Sequence, residues 1–546
     1  MDAVVSLIST ITRLWLGIPD GGGNVAQRET LQNMNFGSRI AEEEADRLKG
    51  YFVKTDSWNQ LINGNLDVVY GPKGSGKSAL YSLLSLSDSE LFDRGIFLLP
   101  AENPRGATAF RGITSEPPAT ELQFTSLWKL YFCSLIHQQL HDYGISNHHF
   151  NILRDALQAE GLVRGTLSLG NILTKTISYI RRVIRPQSVE GGITLDPITG
   201  APSVTGKIIF SESVLNPKEG TVSVDSLLDA ADKALAQAGF QVWVLLDRLD
   251  VAFAEHEELE TNALRALFKV YLDLMAYDHI QLKIFLRTDI WKRITSGGFR
   301  EASHITKHHT IAWTESSLLN LIIRRALSNE SIKEFYHIGE DVGDAPIQQQ
   351  HDLFYRIFPN QVQVGPNKSN TLVWMLSRIK DGLKINTPRE LIHLLNNARE
   401  LQSRRLEIGD NTLDGERLFC RPVIKEALAE VSKVRLEQTL YAEYPTLKPY
   451  LESLQGAKTT QTDATLAQIW GITIEESRSI VKKLIDIGFL EVSDPRNQQE
   501  YKIPFLYRPG LSLVQGREWL TSGNLSSDST IDGEEEDEER IDALTP

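Results

Sequence analysis

The chain has 546 residues, of which 41% are hydrophobic and 23% charged, as in an ordinary globular protein of about three or four domains. Much of its net charge of −14 comes from residues 521–546, where nine acidic residues accompany one arginine. The rest is mildly acidic, which argues against a strong non-specific nucleic-acid surface but not against a local basic patch. The two cysteines can form neither a disulfide framework nor a four-ligand zinc site.

The N-terminal segment AVVSLISTITRLWLG is the most apolar stretch, but no run approaches the roughly 18 residues that cross a bilayer. It is interrupted by Arg13 and lacks a basic leader and a cleavage site, so a packed helix is favoured over a signal peptide. Attachment to a membrane surface is the lesser alternative. Because Cys133 and Cys420 are far apart, a reducing cytoplasm is the expected location.

The next residues predict a loop at 19–24 and then a helix. Ser38 is a suitable N-cap for the segment RIAEEEADRLKGYF, whose apolar residues recur at helical spacing. Acidic side chains fill its first turn, where a helix favours negative charge. This helix precedes the strongest motif of the chain.

A phosphate-binding loop follows the apolar strand predicted at 66–70. Residues 71–78 read G-x-x-x-x-G-K-S and lead into a helix, so backbone N–H groups should surround a phosphate chain. Lys77 would reach the β- and γ-phosphates and Ser78 would bind Mg²⁺. The expected ligands are therefore ATP and Mg²⁺. The residues expected to contact the nucleotide are Gly71, Pro72, Lys73, Gly74, Ser75, Gly76, Lys77, Ser78 and Ala79.

Further strands alternate with helices after the loop. Apolar segments at 95–100, 241–247, 282–286 and 308–313 predict strands. The helices between them are predicted at 121–140, 152–182, 223–239 and 262–277, with a β-hairpin at 189–210. This alternation predicts an α/β fold, a parallel sheet with crossover helices, whose ligand lies at the carboxyl ends of the strands.

The chain becomes helical from about residue 314. Thr387, Pro388 and Glu390 predict an N-cap, a first-turn proline and a capping box for a lid helix. A long helix should then end near Gly456. Two helices around the turn at 471–473 and a β-like pair predict a winged helix, and the acidic tail should be disordered.

The predicted second metal contact is Asp247, the acid that ends the apolar segment VWVLLD. Many ring ATPases have glutamate immediately after this aspartate as the base that activates water, but here the next residue is Arg248. Asp250 is therefore the candidate base, and a cap or an ion pair with Arg248 is its alternative role. We expect ATP hydrolysis to be slow.

Two arginines are candidate sensors of the γ-phosphate. Arg287 ends the strand predicted at 282–286, and Arg389 is the second residue of the lid helix. Either could instead form a surface ion pair. Arg324 and Arg325 could act as arginine fingers in a neighbouring subunit if the chain forms a ring.

Two other features are weaker signals. The histidines of SHITKHHT, namely His304, His308 and His309, do not favour a metal site because His308 and His309 should face opposite sides of a strand. The second helix of the predicted winged helix carries acids and bases that cancel. Packing is therefore favoured over DNA recognition for that domain.

The order of motifs resembles the STAND and AAA+ branch of P-loop ATPases over about residues 36–519. It is similar in particular to a bacterial family with DRLD in its second acidic motif and a C-terminal winged helix. The resemblance implies ATP binding at 71–78, metal at Ser78 and Asp247, and sensor roles for Arg287 and Arg389. Lys77 and Asp247 are far apart for a minimal AAA+ core, so an insertion must lie between them. Members of this broader group act as ATP-gated switches in signalling or phage defence.

The domain prediction follows from these signals: an N-terminal helical segment (1–35), an ATPase domain (36–315) with an insertion at about 121–222, a lid (316–430), a winged helix (431–519) and a tail (520–546). The leading hypothesis is an ATP-gated conformational or assembly switch that acts as a homo-oligomer or with a partner protein. The alternatives are a DNA-associated AAA+ type ATPase, with nucleic acid as a less favoured partner, and a scaffold with a structural nucleotide.

Overall fold

The computed structural model describes residues 21–101, 121–163, 169–183, 208–209, 222–249, 257–410, 413–494 and 497–514. They belong to two compact units. The sheet unit comprises Ala41–Leu48 and Lys54–Ala312, and the helical unit comprises Lys49–Val53, the described residues before Ala41 and those from Trp313 onward. No helix of the described residues is both long enough and apolar enough to cross a membrane.

Five strands of the sheet unit form one parallel sheet in the order β2-β5-β6-β1-β7. A separate parallel pair is formed by β3 and β4. The strands of this unit are β1 (Val68–Gly71), β2 (Ile96–Pro100), β3 (Ile208–Ile209), β4 (Val222–Ser223), β5 (Gln241–Leu246), β6 (Ile280–Arg287) and β7 (His308–Thr310). The predicted α/β fold with a parallel sheet is confirmed.

Helices alternate with the strands of the sheet unit, and the first helix of the described residues, Gly21–Asn33, belongs to the helical unit. From the N-terminus to β7 the helices are α1 (Gly21–Asn33), α2 (Ala45–Tyr51), α3 (Asp56–Ile62), α4 (Lys77–Leu86), α5 (Asp88–Asp93), α6 (Glu121–Asp142), α7 (His148–Ala159), α8 (Leu169–Val183), α9 (Val224–Ala238), α10 (Glu257–Leu274) and α11 (Thr288–Ser296). Short 3₁₀ helices lie at Ala41–Glu43 and Arg300–His304.

The inserted helix α6 packs into the core of the sheet unit. Its Trp128 is fully buried and donates a hydrogen bond from its indole nitrogen to the carbonyl oxygen of Ala263 at 2.9 Å. Tyr131 donates its hydroxyl proton to the carbonyl oxygen of Ala101, also at 2.9 Å. Helices α6, α7 and α8 therefore account for part of the long separation between Lys77 and Asp247. Most of the predicted hairpin at 189–210 lies outside the described residues, and the described β3 pairs in parallel with β4.

The helical unit continues the chain from Trp313. Its later helices are α12 (Glu315–Leu327), α13 (Glu330–Tyr336), α14 (Ile347–Ile357), α15 (Thr371–Arg378), α16 (Pro388–Glu407), α17 (Arg421–Arg435), α18 (Lys448–Glu452), α19 (Asp463–Trp470) and α20 (Ile474–Asp486). Short 3₁₀ helices lie at Glu340–Asp344 and Phe505–Tyr507, and a π-helix at Leu436–Tyr441 follows α17. The buried apolar side chains of this unit form one hydrophobic core, whose first and last members in the sequence are Leu31 and Leu511.

The end of the helical unit, predicted as a winged helix, contains two short helices and a three-stranded antiparallel sheet. Helices α19 and α20 are separated by a turn at Gly471, which has a left-handed φ of 66°. An antiparallel sheet in the order β8-β10-β9 completes it, formed by β8 (Thr460–Thr462), β9 (Glu491–Asp494) and β10 (Asn497–Lys502). Thr462 and Thr473 each accept a hydrogen bond at the start of their helix and form capping boxes.

The N-terminal helices differ from the prediction. The segment predicted as a loop at 19–24 belongs from Gly21 onward to α1, which Gln27 anchors by donating to the carbonyl oxygens of Gly415 and Arg417. The expected helix after Ser38 is broken into a 3₁₀ turn and α2. Ser38 accepts from the Ile40 N–H, two residues on, so its side chain closes a tight turn instead of capping a helix.

The region before the winged helix also differs from the prediction. The long helix expected to end near Gly456 is divided into α17, the π-helix and α18. The predicted boundary at 430/431 falls inside α17, which packs along α16 in the same core. The predicted domain limits otherwise remain predictions.

Candidate nucleotide-binding site

The loop at 71–78 connects β1 to α4, and its glycines are sterically required. Gly74 and Gly76 have φ values of 82° and 101°, in the left-handed region that favours glycine. A Cβ on Gly71 would lie 2.3 Å from the Ser75 Oγ, so a larger residue would require the Ser75 side chain or the loop to shift. Gly76 is also the N-cap of α4 and provides no capping side chain. The loop thus has the tight backbone that its sequence predicts, with a helix N-terminus behind it.

The ammonium group of Lys77 lies against the beginning of the same loop. Its Nζ donates to the carbonyl oxygen of Gly71 at 2.8 Å and to that of Pro72 at 3.0 Å. These acceptors are neutral. An anionic phosphate oxygen would be a stronger partner for the ammonium group, because charge-assisted hydrogen bonds are about twice as strong as neutral ones.

Ser78 and Asp247 meet although they are 169 positions apart in the chain. The Ser78 Oγ donates to the Asp247 Oδ2 at 3.0 Å. Asp247 directly follows β5 and is only 5% exposed, and Ser78 is the second residue of α4. The sheet therefore brings a hydroxyl and a carboxylate together beside the phosphate loop.

This pair fits a magnesium ion. Mg²⁺ prefers oxygen ligands at about 2.0–2.1 Å in octahedral geometry, which places adjacent ligands about 2.9 Å apart. The observed separation between Ser78 Oγ and Asp247 Oδ2 is 3.0 Å. Phosphate oxygens and water normally supply the remaining ligands in such sites, so one carboxylate and one hydroxyl are enough from the protein.

Arg287 lies at the same edge of the sheet. In the β1–β6 pairing its Cα is the partner of the Gly71 Cα, so the arginine and the first loop residue are neighbours. Its guanidinium is paired with Asp289: Nε donates to Oδ1 at 3.1 Å and Nη2 to Oδ2 at 2.7 Å. Partial burial works against ionisation of Asp289, but the charge and hydrogen bonds of Arg287 hold the pKa of Asp289 below its usual value.

Asp289 was not identified from the sequence as a site residue. The only signal was its position two residues after Arg287 and within the first turn of α11. Arg248, next to Asp247, has a left-handed φ of 56°, which is uncommon for a side chain other than glycine or asparagine. The proposed base Asp250 lies outside the described residues.

Arg389 belongs to the helical unit, as the second residue of α16. The predicted N-cap Thr387 and first-turn Pro388 are present, but the predicted capping box is wrong, because the Thr387 side chain accepts no hydrogen bond from a backbone N–H of the helix. Its hydroxyl instead donates to the Glu390 carboxylate, which also accepts from Arg435 Nη1 at 2.9 Å. The Glu390 carboxylate is thus shared between the Thr387 hydroxyl and the Arg435 guanidinium. The nucleotide role of Arg389 remains a prediction.

The two arginines considered as fingers in a neighbouring subunit are held within the helical unit. Arg325 is 6% exposed, donates to the carbonyl oxygen of Phe36 and lies over the ring of Tyr51. Arg324 donates to Asn320 and pairs with Asp344. Burial of Arg325 removes it as a candidate for contact with another subunit.

The histidines do not assemble into a metal site in the part of the chain that the structure describes. His308 and His309 lie on the edge strand β7, and His304 ends a preceding 3₁₀ helix. No group of three or more His, Cys, Asp or Glu side chains suited to a metal ion occurs among the described residues. Cys133 and Cys420 are both buried thiols.

Some charged side chains of the predicted winged-helix region are paired within that region. Asp463, which begins α19 and is 6% exposed, accepts from Arg478 Nε and from the Tyr501 hydroxyl, both at 2.8 Å. Glu476 is likewise engaged in the capping box of α20. The exposed lysines Lys482 and Lys483 remain on this helix as solvent-facing positive charge.

Comparison with known proteins gives no family assignment. No protein-family model matches the chain, and no curated protein matches it. Among solved structures it is similar to the Aeropyrum pernix ORC1 protein in complex with DNA, with 13% identity over 87% of this chain and 96% of that one, and a TM-score of 0.37.

Two Aeropyrum pernix ORC2 structures are also similar, each at 13% identity. The ADPNP–ADP form covers 86% of this chain and 94% of that one with a TM-score of 0.29. The ADP form covers 85% and 88%, with a TM-score of 0.30. Structural similarity at these TM-scores does not indicate the activity of this chain. Its fold is established by its own strand order.

Proposed function

We propose that this protein binds ATP with Mg²⁺ at residues 71–79 and hydrolyses it slowly. The observation that carries the proposal is the 3.0 Å contact between Ser78 and Asp247, beside a loop whose glycines have the required conformations. Lys77 would contact the β- and γ-phosphates, and Ser78 and Asp247 would hold the metal. Bound Mg²⁺ neutralises charge on the phosphates and orients them.

Slow turnover follows from the residue after Asp247. A carboxylate at this position would orient and deprotonate the attacking water, and Arg248 does neither. Asp250, which lies two residues after Arg248 in the sequence, is the residue that we propose as the base. Arg287, at the same edge of the sheet, would contact the γ-phosphate, which is present in ATP and absent in ADP.

The direct experiment measures ATP affinity and phosphate release for the wild type and for Lys77→Met. We expect the variant to lose at least about tenfold in affinity and about a hundredfold in turnover. Lys233→Met is a matched control, because this lysine is 53% exposed on α9 and pairs with the exposed Asp229 in the adjacent helical turn. Equal ATP binding by all three proteins would refute the proposal.

We further propose that ATP acts as a conformational or assembly switch. This proposal is motivated by a candidate sensor of the γ-phosphate, Arg287, in a site that lacks the usual base. Sedimentation of the wild type with ATP, with ADP and without nucleotide tests it. A change in sedimentation coefficient with ATP alone is expected, and identical profiles in all three conditions would contradict the switch.

A DNA-associated ATPase is the second candidate. The observation in its favour is the helix–turn–helix and β-hairpin arrangement of α19, α20, β9 and β10. Gel-shift titration of duplex DNA at increasing salt tests it, with Lys482→Glu/Lys483→Glu as the variant and Lys448→Glu as an exposed-lysine control. Binding that weakens with salt and is lost only in the double variant would support this function. Absence of binding at low salt would eliminate it.

The scaffold hypothesis makes a different prediction. A structural nucleotide would be bound without being hydrolysed. Phosphate release by the wild type would then equal that of Asp247→Ala, whereas the ATPase proposal expects the wild type to exceed it.

A further inference from the structure

The guanidinium of Arg287 is engaged by a carboxylate from the next turn of its own chain. Asp289 accepts from both Nε and Nη2, the two-donor edge with which arginine also binds phosphate. The side chain of Arg287 is 16% exposed and that of Asp289 is 42% exposed. The partner of the arginine is therefore the more solvent-accessible member of the pair.

The first residue of the phosphate loop contacts the ammonium group of one basic residue and is paired through its backbone with another. Lys77 Nζ bonds to the Gly71 carbonyl oxygen at 2.8 Å, and Arg287 is the β-sheet partner of Gly71. Their present acceptors differ in charge: the lysine contacts neutral carbonyl oxygens, and the arginine contacts an anion. A phosphate would displace the carbonyl oxygens easily, but it would have to compete with Asp289.

We propose that Asp289 sets the discrimination between nucleoside triphosphate and diphosphate by competing with the terminal phosphate for Arg287. This inference rests on the proposed function of the loop as a nucleotide site. Asp289 is then a specificity-determining residue that acts through Arg287.

The location of Asp289 makes the exchange of partners feasible. It is the second residue of α11, where a negative charge interacts favourably with the N-terminus of the helix. Because the carboxylate is also partly exposed, it keeps favourable surroundings after Arg287 leaves. Release of the arginine therefore does not leave a buried, unpaired charge, in contrast to a fully buried ion pair.

A competing Asp289 and a supporting Asp289 predict opposite changes in triphosphate affinity when its charge is removed. If Asp289 held Arg287 in position for the phosphate, loss of its charge would weaken triphosphate binding. If it competes, the same loss strengthens triphosphate binding and leaves diphosphate binding unchanged, because the diphosphate lacks the group that Arg287 contacts.

The experiment measures dissociation constants for a non-hydrolysable ATP analogue and for ADP, both with Mg²⁺, by competition with a fluorescent nucleotide. Asp289→Asn preserves the side-chain shape and removes the charge. We expect the analogue to bind about threefold to tenfold more tightly and ADP to change less than about twofold. Arg287→Ala should remove the preference for triphosphate, and Asp289→Asn/Arg287→Ala should behave like Arg287→Ala alone.

Asp93→Asn, an exposed carboxylate at the end of α5, is the control and should leave both constants unchanged. Asp289→Ser is the second variant if Asp289→Asn does not fold, because serine is also favoured near a helix start. Weaker or unchanged analogue binding in a folded variant overturns the inference. If that result is found while the wild type binds the analogue and Lys77→Met does not, this inference fails and the proposed function stands. If the wild type binds no nucleotide, the proposed function fails with it.

Discussion

The ammonium group of Lys283 lies 2.7 Å from the Asp67 carboxylate, and both side chains are almost fully removed from solvent. Asp67 immediately precedes β1, which leads to the phosphate loop, and Lys283 lies within β6, which ends at Arg287. The lysine also donates to the Leu66 carbonyl oxygen at 2.9 Å and lies 4.4 Å from the ring centre of Trp243. The pair thus joins the two strands that carry the loop and the candidate sensor.

Breaking this pair should strongly destabilise the sheet unit. Asp67→Asn would leave Lys283 buried without its counter-charge, which costs about 3–5 kcal/mol in comparable sites. Asp67→Leu/Lys283→Met should recover much of that loss, because both charges are removed together. Denaturant unfolding gives both values, with Asp93→Asn as the control. A wild-type unfolding free energy in Asp67→Asn would contradict this account of the pair.

A buried histidine should make the sheet unit sensitive to acid. His137 is 4% exposed, and burial, followed by the nearby His141 and Arg154, lowers its pKa to about 4. The pKa of an unfolded histidine is about 6.5, so between pH 6.5 and pH 4 the unfolded chain binds a proton at this residue that the folded chain does not. The free energy of unfolding therefore decreases as the pH falls through this range. This residue alone should cost about 2 kcal/mol between pH 7 and pH 5.

The comparison of His137→Gln with the wild type isolates that contribution. The difference in unfolding free energy between pH 7 and pH 5 should shrink in the variant. It should remain as large as in the wild type in His148→Gln, which changes an exposed histidine of α7. An equal pH dependence in all three proteins would show that His137 is not the source.

The close contact between Gly71 and Ser75 predicts a rescue experiment. Gly71→Ala places a methyl group 2.3 Å from the Ser75 Oγ, so the Ser75 side chain or the loop must shift, and ATP affinity should fall by more than about tenfold. Gly71→Ala/Ser75→Gly removes the obstructing atom and should restore part of the binding. The fold is checked by thermal melting. No recovery in the double variant would show that another feature of Gly71 is required.

Phe505 should stabilise the junction between the winged-helix arrangement and the preceding helices. The guanidinium carbons of Arg378, on α15, and of Arg508 each lie 3.8 Å from the centre of its ring. Phe505→Leu keeps an apolar side chain but removes both cation–π contacts, which should cost about 1–3 kcal/mol of unfolding free energy. Phe505→Tyr, which keeps a ring, should cost much less. Equal stabilities of the Leu and Tyr variants would exclude a cation–π contribution.

The sequence predicted the features that depend on local rules. Glycines at the spacing found in residues 71–78 are typical of a phosphate-binding loop. An acid that follows a buried strand, such as Asp247, must lie at the edge of the sheet. Both rules place residues without knowledge of the rest of the fold. The parallel sheet was predicted for the same reason, since its strands are continuous apolar segments between amphipathic helices.

Features that depend on tertiary contacts could not be predicted. Glu390 had the spacing of a capping box, but its carboxylate pairs with Arg435, which lies 45 positions away. Ser38 is of a residue type that commonly caps helices, but its hydroxyl accepts from the Ile40 N–H and closes a tight turn. Asp289 carried no recognisable pattern, because an acid two residues after an arginine is common, and its relevance follows from its hydrogen bonds to Arg287, which the β1–β6 pairing places beside Gly71.

The magnesium dependence of ATP binding tests the central claim most directly. Calorimetric titration of the wild type, Ser78→Ala and Asp247→Asn with ATP, each with Mg²⁺ and with excess EDTA, measures it. The wild type should lose at least about tenfold in affinity when Mg²⁺ is removed, and both variants should bind weakly in either condition. Wild-type affinity that is the same with EDTA, or variants that retain the full magnesium dependence, would contradict a metal–nucleotide site built on Ser78 and Asp247.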